Sequence, residues 1–117
     1  MTQGTGTGPF TRGFIDALVL QDHYTKHAML LGITTIQDYG ERADSFLGGP
    51  RDSTTHECVR PPGRFAGDIV RYNSATGEFG VVSRNRIIRT YYRLDLSRHR
   101  RRYPTDLHYF RAECLKI

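Results

Sequence analysis

No apolar run in this chain approaches the roughly 20 residues that a bilayer-spanning helix needs, so no membrane span is expected. Cysteine is scarce as well. Cys58 and Cys114 are the only two, far apart and without a C-x-x-C spacing, and a disulfide framework is not expected to hold the domain together. Lysine occurs only at Lys26 and Lys116. The first ten residues are rich in Gly and Thr and lack the charged-then-apolar order of a signal peptide. They read as a flexible lead-in or linker remnant, followed by one domain over residues 11–117. Any export would then be arranged by something outside this sequence.

What is present is arginine. The formal net charge is +5, and residues 84–102 hold eight arginines and His99, opposed only by Asp95. Such a stripe attracts polyanions over a Debye length of about 8–10 Å, and the guanidinium fork suits phosphate. Nucleic acid is the first reading of the stripe. A solvated face or a dock for an acidic protein are the others.

With 117 residues and a 38% apolar fraction, the chain has room for one modest core. Residues 11–31 have helical character, with Phe14, Leu18 and Leu31 as an apolar stripe and Gly32 as a stop. Thr34 to Gln37 has the T-x-x-Q form of a capping box. It opens a second helix whose apolar face is Ile36, Tyr39, Ala43, Phe46 and Leu47, ended by Gly48-Gly49-Pro50. A short strand is expected over residues 56–60, broken by Pro61-Pro62-Gly63. A β-meander follows over residues 68–94, with the turn at residues 73–77. An exposed basic loop spans residues 98–102. Thr105 caps a terminal helix that packs through Leu107, Phe110 and Leu115. Two helices, an antiparallel sheet and a short helix define an α+β domain.

Among these elements, His23 and His27 lie one turn apart with Lys26 between them. Histidine is the default group for moving protons near neutral pH. Arg89, Thr90 and Tyr92 on the last strand offer a cation, a hydroxyl and an aromatic ring for a phosphate and a base. Together they suffice for RNA cleavage through a 2′,3′-cyclic phosphate without a metal or cofactor. Alternation along a strand puts Thr90 and Tyr92 on one face and Arg89 and Tyr91 on the other. Thr90 and Tyr92 are therefore expected to meet His27, with Arg89 contributing from the edge or a twisted strand end. A zinc site from His23, His27 and a cysteine is conceivable, but further ligand spacing is missing. The acidic residues form no cluster of the kind a Mg²⁺ nuclease uses.

Several segments together resemble a known group. LQDHYTKH at residues 20–27 resembles the L-x-x-H-F-x-K-H-G helix of carboxy-terminal toxin domains from bacterial polymorphic and contact-dependent growth inhibition systems. Tyr39, Ala43 and Phe46 match their Y-x-x-x-A-x-x-F helix. Residues 67–81 match a G-D-I-V-R-Y-D-x-x-T-G-E-F-G-V hairpin, residues 88–93 an I-R-T-Y-F-x-P strand up to its proline, and residues 103–110 a Y-P-T-N-L-x-Y-F tail. Ala28, Asn73 and Leu94 stand where that pattern has glycine, aspartate and proline. These domains are similar to the colicin D type of ribonuclease in the barnase–EndoU–colicin–RelE group.

The resemblance implies amino-terminal helices packed on a small twisted antiparallel sheet, and a metal-independent endoribonuclease acting on tRNA in the anticodon region. It also implies neutralisation by a cognate immunity protein, expected to be acidic. Delivery would be as part of a larger secreted or surface protein, with action in the cytoplasm of a target bacterium. Carried over by position, it puts the catalytic histidine at His27 and the strand hydroxyl at Thr90, supported by His23, Arg89 and Tyr92. Lys26, Arg71 and Arg93 are the expected substrate contacts. The competing readings are a nucleic-acid-binding module without turnover and a protein-interaction domain.

Overall fold

The computed structural model of the chain describes residues 9–95 and 102–117. Two helices, α1 (Ala17–His27) and α2 (Ile36–Gly48), precede four strands, β1 (Thr55–Val59), β2 (Ile69–Asn73), β3 (Glu78–Val82) and β4 (Ile88–Arg93), and helix α3 (Asp106–Cys114) closes the order. The strands form one antiparallel sheet in sequence order, with β1 and β4 at its edges. The α+β expectation holds. Much of the expected basic loop over residues 98–102, and of the lead-in, lies outside the described residues.

The helices cover both faces of the sheet. On one face, Tyr39, Ala43 and Leu47 of α2 pack on Val82, Ile88 and Tyr91. On the other, Phe110 of α3 packs on Val70, Tyr72, Phe79 and Val81. Alternation along β2 and β3 supplies both cores, because successive side chains point to opposite faces. The β2–β3 turn forms as expected. The Asn73 carboxamide oxygen accepts from the Ala75 and Thr76 N–H groups, and Gly77 takes a positive φ of 79°.

The boundaries shift where local signals competed. The first helix begins at Ala17, because Asp16 caps it by accepting from Val19 N–H. Residues 10–14 are instead non-helical, with a bend at Thr11 and a positive φ of 75° at Gly13. The Asp44 carboxylate accepts from the backbone N–H groups of Phe10 and Thr11 and from the Thr11 hydroxyl. Phe14 then forms a parallel bridge to Ile88, flanked by Arg12 N–H to Arg86 O and Ile88 N–H to Gly13 O. Ordered structure thus reaches into the expected lead-in, at Phe10. The second helix is capped by Thr35 rather than Thr34, through Asp38 N–H.

Leu18, expected on the buried stripe, is 81% exposed, and Leu115 is exposed too. α1 packs through Leu20 and Tyr24 instead. Its run of Ala-Leu-Val-Leu allows either face, and the Phe14 tether to Ile88 sets the rotation.

The largest correction concerns the cysteines. Cys58 on β1 and Cys114 at the end of α3 form a disulfide, with their Cα atoms 6.0 Å apart. Their spacing of 56 residues carried no local signal. Only the return of α3 across the sheet brings them together. Neither sulfur is then a thiolate available to a metal.

Candidate active site

The tether between Phe14 and Ile88 starts α1 level with the beginning of β4. Eleven helical residues rise about 16 Å, and the four steps from Ile88 to Tyr92 cover about 13 Å. The last turn of α1 therefore arrives beside Tyr92, and His27 stacks on that ring with centroids 5.0 Å apart at 29°. The contact follows from where the helix is tied and how long it is.

Behind His27, a file of rings runs back along the helix. His23 lies 5.7 Å from His27 and 5.1 Å from Phe14 between ring centroids. On the other side, the Tyr92 hydroxyl is 2.5 Å from the Tyr109 hydroxyl of α3, and Tyr92 packs on Phe79. Burial raises the Tyr92 phenol well above its ordinary value, and the bond with Tyr109 raises it further. Tyr92 therefore stays protonated. Its hydroxyl is committed to Tyr109 and one ring face to His27, so the base contact that the sequence led us to expect of Tyr92 is not open on that face.

Burial lowers the pKa of His23, and its Nδ1 is enclosed with no hydrogen-bond partner among the described residues. His23 is therefore neutral at neutral pH. A histidine depressed in the folded state favours folding fully above its unfolded value near 6.5 and loses that contribution as pH falls below it. We expect the melting temperature to fall as the pH drops below about 6.5, and a His23→Phe variant to flatten that fall. An equally steep fall in the variant would assign the acid sensitivity elsewhere.

β4 contains a device that alternation did not foretell. Val81 pairs with Thr90 but Val82 pairs with Ile88, so Arg89 is an extra residue in a β-bulge. Thr90 and Tyr92 share the α3 face, opposite Val81 and Phe79. The bulge brings Arg89 to that face as well, where its Nε lies 2.8 Å from Asp68 Oδ2. Asp68 is buried and also meets Arg60 at 3.1 Å. Arg60 in turn grips Glu113 of α3 at 2.8 Å. The separation of Arg89 from Thr90 expected from strand parity is thus corrected by one inserted residue.

The remaining expected contacts divide. Lys26 is exposed on the last turn of α1, 2.9 Å from Asp22. Arg93 is exposed and in phase with Tyr91, opposite Glu78. Arg71 lies on the α2 face. It holds Glu57 at 2.7 Å and donates to the carbonyls of Phe46 and Gly49, where a cation complements the helix terminus. Arg71 is a structural residue, distant in role from His27.

Sequence reading missed Arg60, Asp68, Glu113 and Tyr109. One signal was available: Asp68 is in phase with Val70 and Tyr72, and an acid in a core-directed phase requires cations. Among the described residues, no three His, Cys, Asp or Glu side chains gather as a metal site would need, and no helix is long and apolar enough to cross a membrane. Compared with known proteins, the chain matches no family model and no curated sequence.

Proposed function

We propose that this chain is an endoribonuclease domain that cleaves RNA by internal transphosphorylation at the His27–Thr90 edge of the sheet. The observation that carries the reading is the stacking of His27 on Tyr92, beside a strand face that also presents Thr90 and, through the bulge, Arg89. His27 takes the proton of a ribose 2′-hydroxyl. The 2′-oxygen bonds to phosphorus, the bond from phosphorus to the 5′-oxygen breaks, and the departing oxygen takes a proton from water. The Thr90 hydroxyl and Arg89 guanidinium donate to the non-bridging oxygens, where negative charge gathers in the transition state. His23 stays neutral and backs the His27 ring. The hydroxide left by that water takes the proton held on His27, so the step balances with water and the groups of this chain alone.

The resemblance to carboxy-terminal toxin domains supports tRNA as the substrate, a cognate immunity protein as partner, and delivery by a larger protein into a target bacterium. Cleavage should persist in excess EDTA and leave fragments ending in a 2′,3′-cyclic phosphate. End analysis of tRNA fragments in the presence of chelator tests both points. Loss of activity in EDTA restored by Mg²⁺ or Zn²⁺, or fragments ending in a 3′-hydroxyl, would refute the mechanism.

A further inference from the structure

Around Phe65, in the loop between β1 and β2, four basic side chains converge. The charged groups of Arg60, Arg64, Arg89 and Lys116 lie 5.5–5.9 Å from the centre of its ring. A fifth, Arg84, reaches the same loop by lying over Gly67. A Cβ there would stand 2.9 Å from Arg84 Cδ, and Gly67 has a φ of 82°. The terminal Ile117 also lies against Gly63 at the edge of the cluster. The ring face attracts each cation, and among the described side chains the five positive groups meet two carboxylates, Asp68 and Glu113. Those two are engaged by Arg60, Arg89 and Lys116. Arg64 and Arg84 are exposed and have no carboxylate partner among the described residues. A fold that gathers like charges in this way leaves an excess positive potential that a bound anion relieves.

The position of the cluster gives the anion its identity. Arg89 belongs both to this cluster and to the strand face bearing Thr90. The cluster therefore continues the candidate cleft from Tyr92 past Thr90 towards the start of β4. A single-stranded polyanion lying along the β4 edge would meet His27 at one point and these arginines at the next.

We infer that Phe65 and the surrounding Arg64, Arg84 and Lys116 form a second RNA-binding subsite, holding backbone phosphates beside the nucleotide at His27. This rests on the ribonuclease reading for the nature of the chain that runs between the two points. The subsite positions RNA and performs no chemistry.

The test uses a short RNA oligonucleotide methylated at every 2′-oxygen, which lacks the nucleophile and cannot be cleaved. An Arg64→Ala, Arg84→Ala double variant should bind it roughly tenfold more weakly. The slope of log affinity against log salt should become shallower by about 1.4, since each single-strand phosphate contact contributes about 0.7. Turnover of a dinucleotide, too short to reach the cluster, should be unchanged. An Arg42→Ala, Arg51→Ala variant, which loses the same charge on the α2 side, should bind as the parent does. A melting temperature equal to the parent's checks the fold, and Lys116→Ala, which should also weaken binding, provides a second probe of the cluster. Parental affinity and salt slope in the double variant, or an equal loss in the control, would overturn the subsite while leaving cleavage at His27 standing. A parent that binds the methylated RNA through the cluster but cleaves no RNA would keep the subsite and sink the ribonuclease reading.

Discussion

Replacing His27 with alanine is expected to lower RNA cleavage by about 10²–10⁴-fold, the usual loss on removing a general acid–base group. The fold should survive. His27 sits at the end of α1, half-buried against Tyr92, and an aromatic contact of this kind contributes about 1 kcal/mol. Tyr92 keeps its partners Phe79 and Tyr109 in the variant. His23→Ala is the comparison and should lose less, because the half-buried ring is neutral and contributes by packing. Single-turnover rates on tRNA for the two purified variants give the ranking. A His27→Ala protein as fast as the parent would reduce His27 to a packing residue. The reverse order would move proton transfer one turn back along the helix.

Breaking the bond between Cys58 and Cys114 is expected to have the largest effect on stability. A loop of 56 residues closed in the unfolded chain corresponds to about 4 kcal/mol, or roughly 15 °C in melting temperature for a domain of this size. Activity should fall with it. The bond anchors α3 to β1, and α3 carries both Tyr109, which holds the Tyr92 hydroxyl, and Glu113, which holds Arg60. Thermal melts of the parent with and without reductant, alongside a Cys58→Ala, Cys114→Ala variant, measure this. The parent in reductant should melt near the variant, and the variant should ignore reductant. A parent that melts at the same temperature in both conditions would show that α3 holds by packing alone, through Phe110 and the Arg60 network.

Much of the fold was legible because its signals are local. The Asn73–Gly77 turn, the α2 face through Tyr39, Ala43 and Leu47, and the Thr105 cap each depend on residues within one or two turns of one another. The site was legible in part. His27 and Tyr92 were both named from sequence, and the structure brings them into contact. Arg71 was named for its charge, but it is spent on Glu57 and the end of α2. Nothing near Arg71 in sequence marks that use, since its partners lie 14 to 25 residues away.

The sequence by itself determined the order and character of the elements, the basic balance, and the histidine, threonine and arginine types that chemistry on a phosphate would use. Periodicity and capping act over a few residues and can be read without knowing where the chain goes. Only the tertiary structure decided which of those residues meet. The Phe14–Ile88 tether and the length of α1 bring His27 to Tyr92. One inserted residue at Arg89 turns its guanidinium to the Thr90 face, towards Asp68. The pairing of Cys58 with Cys114 likewise arises only once α3 has crossed the sheet. Contacts between residues far apart in the chain depend on the path of everything between them, and no local pattern encodes that path.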